Sequence, residues 1–333
     1  MKIEAIFAVV LLATLSITII SLKILIPFLA SRKMGQKILE IGPRWHKNKE
    51  GTPTMGGLSF IFAIIIVFLM FLILAKEKLD ITQLLCSLNI IVYSLLNAMI
   101  GIIDDFAKLR KAKNEGLTPL SKFLLQAICA ILFLVSLHFT VGINTRIYLP
   151  FVDVSVELSF IYYILAFLIL CGVVNSVNLT DGIDGLAASI VATTGIFFAV
   201  INFLIVKDYT IAFFSAALIG GMLGFLTYNF YPAKVFMGDT GSLFLGGLVV
   251  SMSFLIDNIL LVLVYGFVFV CEAGSVILQV LWFKISKGKR LFKMAPLHHH
   301  FEKCGLSEVK IVLLFTFVSV IFGMLAFWGV GNL

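Results

Sequence analysis

Between Ile6 and Ala30 the chain carries one charged residue, Lys23. A stretch that long and that apolar matches the roughly 20 residues a helix needs to cross a bilayer. It exceeds the apolar core of a cleavable leader, about 7–15 residues, and many comparable runs follow it, so it reads as a true span. Of the 333 residues, 61% are hydrophobic and 13% charged, against about 25% charged in a soluble domain. The alternation of apolar and polar residues that a membrane β-barrel requires is absent. The fold class that follows is all-α, a polytopic integral membrane protein. Its 32 phenylalanines suit lipid-facing and interhelical packing.

Counting apolar runs gives ten spans, at roughly 5–29, 56–75, 82–103, 121–138, 159–177, 185–206, 211–230, 241–257, 259–283 and 310–331. No fixed-period repeat and no low-complexity linker divides them, so residues 1–333 read as one domain. Cys86, Cys129, Cys171 and Cys271 lie in apolar spans and Cys304 in a basic loop. Their spacing gives neither a disulfide framework nor a CxxC metal site.

Charge then orients the chain. The loops after odd-numbered spans, about 31–55, 104–122, 178–184, 231–240 and 284–310, hold 6, 5, 0, 1 and 7 Lys or Arg, 19 of the chain's 25. By the positive-inside rule these loops are cytoplasmic, and both termini are extracytoplasmic. The net charge of +7 is therefore a topology signal with attraction to anionic lipid head groups, not a sign of nucleic-acid binding. The same loops carry "KNKEGTPTMGG", "GIIDDFAK", "NLTDGIDG", "NFYPAKVFMGDTGS" and "KMAPLHHHFEKCG". Helix punctuation alone does not put every unusual polar motif on one membrane face, so a single site on the cytoplasmic side is expected. On the opposite face "RIYLPFVDVSVEL" reads as a small hairpin.

Each motif suggests chemistry. Asp104 and Asp105 are adjacent at the inner end of the third span, about 100° apart on a helix, so one can serve a cation and the other a substrate. Acids at a helix C-terminus oppose the macrodipole at about 0.3–1 kcal/mol each, which favours a functional reason for both. Asp181 and Asp184 are three apart, on one face if helical, and Gly182 and Gly185 permit close backbone approach. Asp239 lies between glycines before the eighth span, with Thr240 and Ser242 placed to cap that helix. No Walker lysine follows, and an aspartate beside a phosphate site implies Mg²⁺. Phe236 is available for base stacking or for packing. His298, His299 and His300 fan out around a helix, cannot share one metal and lack the HExxH pattern, so phosphate contacts are favoured over zinc. Glu272, inside the ninth span, is a functional candidate or an interhelical hydrogen bond, with Gln279 two turns on. "GGMLG" at 220–224 matches small-residue helix packing.

Clustered carboxylates, a divalent cation, basic loops and a lipid-immersed scaffold suit phosphoryl-type transfer to a lipid acceptor. A secondary transporter is the competing class, but its site would lie near the midplane, often between inverted repeats.

"GTPTMGG", "DDF.K", "NLTDGIDG", "FMGDTGS" and "PLHHHFE", in this order from Lys49 to Glu302, resemble the polyprenyl-phosphate N-acetylhexosamine-1-phosphate transferases. "TPTMGG" and "PLHHHFE" are similar to the peptidoglycan branch rather than a sister branch. The resemblance implies that UDP-N-acetylmuramoyl-pentapeptide and undecaprenyl phosphate give lipid I and UMP with Mg²⁺, in the bacterial cytoplasmic membrane and as a homodimer. It implies Asp239 as metal ligand, with Asp105 as second candidate, and Asp104 and Asp105 as the essential pair. Uridine recognition falls by resemblance to Asn178, Asp181, Gly182, Asp184 and Phe236. Lys49, Thr54, Lys122, Asn229, Gln279, His298, His299 and His300 match further site positions.

Overall fold

The computed structural model describes residues 2–32, 35, 49–111, 116–152 and 154–330. In chain order its helices are α1 (Ile3–Ser31), α2 (Leu58–Leu74), α3 (Ile81–Lys111), α4 (Pro119–Thr140), α5 (Phe160–Thr180), α6 (Leu186–Ile201), α7 (Tyr209–Asn229), α8 (Gly238–Ser251), α9 (Leu261–Tyr265), α10 (Phe267–Ile285), α11 (Leu297–Lys303) and α12 (Glu308–Val330). A π-helical turn extends α6 to Val206, and a 3₁₀ turn extends α8 to Ile256. Between α4 and α5 the expected hairpin is present. Its strands β1 (Arg146–Leu149) and β2 (Val154–Glu157) pair antiparallel, Arg146 opposite Glu157.

Among the described residues nine helices are long and apolar enough to cross a membrane. The expected ten differ from this in two places. The second span is α2, with 17 residues, about 26 Å at 1.5 Å per residue. The ninth is interrupted at Gly266 into α9 and α10, a break that a continuous apolar run conceals. A third difference bears on the site. Helix α3 does not stop where its apolar residues do, but runs two turns further to Lys111. Leu, Lys and Arg are good helix formers, so "KLRK" carries the helix past Asp104 and Asp105. The macrodipole argument for those acids therefore lapses.

In lipid, helix association rests on close packing more than on hydrophobic burial. Helices α7 and α8 form the centre: 83% of the apolar window of each is buried, against 28% in α1 and in α12. Small residues permit this. A Cβ on Gly220 or Gly224 would press on the backbone of α1 at Leu11 or Leu15, as "GGMLG" suggests. Helix α8 lies against α3 so closely that a Cβ on Gly101 would overlap the Asp239 carbonyl. Side chains cap the helices: Thr118 Oγ1 accepts the Ser121 N–H at α4, and Asp208 accepts those of Thr210 and Ile211 at α7.

Candidate active site

Four helices deliver one cluster. Asp104, Asp105 and Lys108 come from α3, Lys122 from α4, Asn178 from α5, and Asp239 and Ser242 from α8. One oxygen from each of Asp104, Asp105 and Asp239 lies within 4.8 Å of the other two. Asp239 Oδ2 accepts from Lys108 Nζ and Lys122 Nζ, both at 2.8 Å, and its Oδ1 accepts from Asn178 Nδ2 at 2.9 Å. Asn178 also donates to Ser242 Oγ and accepts from Lys122. Asp104 accepts from Lys108 at 2.7 Å and from the Leu117 N–H at 2.6 Å. These are charge-assisted bonds, stronger than neutral ones.

The two adjacent aspartates have different hydrogen-bond partners. Asp105 accepts from the Asp239 N–H at 3.1 Å, and from the Thr240 N–H and hydroxyl at 2.9 and 2.7 Å. It thus caps the first turn of α8 from another helix, satisfying donors that a helix start leaves open. This corrects the expected capping by Thr240 and Ser242: helix α8 begins at Gly238, both residues lie inside it, and Ser242 Oγ donates to the Gly238 carbonyl. Gly238 has φ +71°, and a Cβ there would sit 2.6 Å from Asp105 Oδ2, so no other residue lets the cap approach.

A backbone strip joins "TPTMGG" to "FMGDTGS". Phe236 N–H donates to the Pro53 carbonyl, Gly56 N–H to the Phe236 carbonyl, and Gly57 N–H to the Met237 carbonyl, at 2.8, 2.8 and 3.1 Å. Thr54 is thereby buried beside Gly238, and Phe236 is left half-buried. Lys47 and Asn48, the start of the first motif, lie outside the described residues.

The segment 181–185 is a turn, not the helix that would place both acids on one face. Asp184 accepts from Lys49 Nζ at 2.7 Å and the Ala233 N–H at 2.9 Å; Glu308 Oε2 accepts from Lys49 Nζ at 2.6 Å and the Asp184 N–H at 3.1 Å. Asn229 ties the Gly185 N–H to the Val235 carbonyl. A cleft of about 370 Å³, lined by Tyr231, Glu302, Ser307 and Glu308, borders this network. Desolvation in this half-buried turn, and then the charges of Asp239, Asp105 and Asp184, push the Asp181 carboxyl up to about 8.

The three histidines do face three ways. His298 Nδ1 meets Glu272 Oε2 at 2.8 Å, His299 Nδ1 meets Glu302 at 2.6 Å, and His300 Nδ1 accepts the Lys293 N–H at 3.1 Å. A Cβ on Gly182 would overlap His298 Nε2, so "PLHHHFE" packs directly on "NLTDGIDG". Gln279 accepts from the Leu291 and Phe292 N–H groups and shapes the basic loop. Sequence reasoning assigns no role to Lys108, although it closes the "DDF.K" motif, and misses Glu308 and the pairing of Glu272 with His298. For Lys108 a signal exists, the i,i+4 spacing from Asp104 on one helix face. The other two pairings are tertiary and leave no local trace.

The sequence that builds this site has counterparts. A sequence model of glycosyl transferase family 4 matches residues 87–257. The phospho-N-acetylmuramoyl-pentapeptide-transferase signature 1 matches residues 49–61, which include Lys49 and Thr54. The phospho-N-acetylmuramoyl-pentapeptide-transferase of Staphylococcus aureus is 43% identical over 325 residues, 97% of this chain and 98% of the relative. The chain belongs to the phospho-N-acetylmuramoyl-pentapeptide-transferase family. Family members from Listeria welshimeri and Oceanobacillus iheyensis are also 43% identical, over 315 and 309 residues, covering 95% and 93% of this chain and 91% and 93% of theirs. Membership in the phospho-N-acetylmuramoyl-pentapeptide-transferase family sets aside the transporter reading. With its apolar helices, it makes the chain a multi-pass protein of the bacterial cytoplasmic membrane.

Proposed function

We propose that this chain transfers phospho-N-acetylmuramoyl-pentapeptide from its UDP-linked form to undecaprenyl phosphate, giving lipid I and UMP. The observation that carries this reading is the gathering of Asp104, Asp105, Asp239, Lys108 and Lys122 at the ends of apolar helices in a member of this family. The reading takes the whole chain as one catalytic unit, with the cluster on the cytoplasmic face, both termini outside, and the bilayer and a second copy as partners.

The donor set fits a hard divalent cation, since it consists of carboxylate oxygens. Asp239 would hold Mg²⁺, with Asp105 as second candidate and Asp104 alongside. The ion supplies charge neutralisation on the diphosphate oxygens. Three carboxylates face two ammonium groups here, and the remaining negative charge favours a cation. Lys122 and Asn178 hold the Asp239 carboxylate in place. Asn178, Asp181, Gly182, Asp184 and Phe236 recognise uridine in this reading, with Lys49, Thr54, Asn229, Gln279, His298, His299 and His300 as further site residues.

The acceptor phosphate has a second pKa near 6, by analogy with phosphoserine, so at neutral pH it is already mostly dianionic and needs little help from a base. Direct attack on the β-phosphate is favoured, with Asp104 orienting or deprotonating the acceptor. A covalent aspartyl-phosphate route is the alternative; the oxygens of Asp105 accept three hydrogen bonds from the start of α8. The test is isotope exchange: purified protein, lipid I, Mg²⁺ and labelled UMP should regenerate labelled sugar nucleotide. Faster UMP release with UDP-N-acetylglucosamine would move the chain to the sister branch, and no exchange would end the reading.

A further inference from the structure

Glu272 lies in α10, fully buried, with no exposed area. Its Oε1 accepts the His298 N–H at 3.1 Å and its Oε2 meets His298 Nδ1 at 2.8 Å. Both oxygens are thus spent on one residue, 26 positions away on α11. A carboxylate in a membrane-spanning helix is expensive and marks function by default. An interhelical tie alone would not require a histidine, and above all not one whose second nitrogen goes unused. His298 is 1% exposed, and its Nε2 is buried with no hydrogen-bond partner. Buried polar atoms are normally paired, so Nε2 is an atom whose partner comes from elsewhere.

Its surroundings limit what that partner is. Nε2 lies against Gly182, in the turn that follows Asn178 and carries Asp181 and Asp184. Asn178 in turn holds Asp239. The titratable groups around the ring are Glu272 from α10, the neighbouring His299 ring at 4.2 Å, and Asp181 beside Gly182. With Nδ1–H committed to Glu272, Nε2 is the one ring atom left for a ligand, the same logic by which outer carboxylates orient histidines in metal and catalytic sites.

We propose that Glu272 is a positioning residue that fixes the His298 ring so that Nε2 is presented to a phosphate oxygen of the sugar nucleotide as it settles against the Gly182 turn. The proposal rests on the transferase reading and deepens it, since Glu272 touches no substrate and acts only through His298.

The test uses the full-length protein in detergent with undecaprenyl phosphate, UDP-N-acetylmuramoyl-pentapeptide and Mg²⁺, with UMP release followed from pH 6 to 10. Wild-type turnover is the control, and its absence would sink the transferase reading itself. In Glu272→Gln the side chain keeps its shape but loses its charge. Turnover should fall about 10-fold or more. The limb on which activity declines with rising pH should move to lower pH, because the charge beside the His298 ring is gone. Glu272→Asp, which keeps the charge, should leave that limb in place at reduced kcat. In a His298→Ala background, Glu272→Gln should add nothing. A uniform loss at every pH with additive effects would make Glu272 a structural strut and overturn the proposal, as would wild-type turnover in Glu272→Gln. Thermal unfolding of each variant separates these outcomes from misfolding; if Glu272→Gln does not fold, the limb in Glu272→Asp and in His298→Gln decides.

Discussion

Asp239 Oδ2 accepts from two ammonium groups at once, Lys108 Nζ and Lys122 Nζ, each at 2.8 Å. Lys108 also reaches Asp104 at 2.7 Å, so it sits between two of the carboxylates that would share a cation. A fixed ammonium there competes with a metal for the same oxygens. In Lys108→Met, Mn²⁺ followed by electron paramagnetic resonance without nucleotide should bind several-fold more tightly than in wild type. Turnover should nonetheless fall about 10-fold, or ~1.4 kcal/mol of transition-state stabilisation. Weaker Mn²⁺ binding in this variant would mean that Lys108 orders the site rather than competing for it.

Asp239→Asn preserves shape and removes charge. The expected loss of turnover is at least about 10²-fold, ~2.7 kcal/mol, with Mn²⁺ binding in the presence of nucleotide weakened in parallel and the folded helix content kept. Retention of both activity and ion binding would transfer the metal role to Asp105.

Gly182→Ala places a methyl group on His298 Nε2. The ring cannot retreat without breaking its bond to Glu272, so the variant should lose about 10-fold or more in kcat/KM for the sugar nucleotide. Gly172, where a Cβ meets open space, is the control: Gly172→Ala should behave as wild type in the same UMP-release assay.

The Asp181 carboxyl, half-buried in its turn, is pushed up to about 8, chiefly by desolvation and then because Asp239, Asp105 and Asp184 repel its charge. Its folded pKa lies above the ordinary carboxylate value near 3.9, so between those two values the folded state binds more protons than the unfolded state. Stability from this group is therefore full below the lower value and is lost as pH rises through about 8. Thermal unfolding between pH 5 and 9, without divalent cations, should show wild type losing stability with rising pH more steeply than Asp181→Asn. Parallel curves would place the ionisation elsewhere.

Cys304 is exposed, whereas Cys86, Cys129 and Cys171 are buried and Cys271 is partly so. An impermeant maleimide should label Cys304 in inverted membrane vesicles and leave it unlabelled in intact cells, if the histidine loop is cytoplasmic. Labelling in intact cells would reverse the orientation drawn from the lysines.

Hydropathy made the helices legible because lipid imposes one rule on every spanning segment, and the five polar motifs were legible because so little else in the chain is polar. What stayed hidden is where helices end and what crosses between them. Apolar counting marks the edge of the bilayer at Ile103, but the helix obeys its backbone and continues to Lys111. Thr240 and Ser242 look like caps locally, yet Asp105 takes that work from 135 residues away. Glu308 and Lys49 are separated by 259 residues, and no periodicity links them. Asn229 and Gln279, expected at the site, hold loops through backbone groups, a job that a motif match does not distinguish from ligand contact.

Asp105 on the start of α8, and Gly101 pressed against the Asp239 carbonyl, mean that the carboxylates ride on membrane-spanning rods rather than on adjustable loops. Their spacing is set by the angle between two rods whose tilt responds to the thickness of the surrounding lipid. The acyl-chain length of the host membrane thus becomes a mechanical input to the chemistry: turnover in vesicles should pass through an optimum as the lipid tails are lengthened, with no change in any residue of the site.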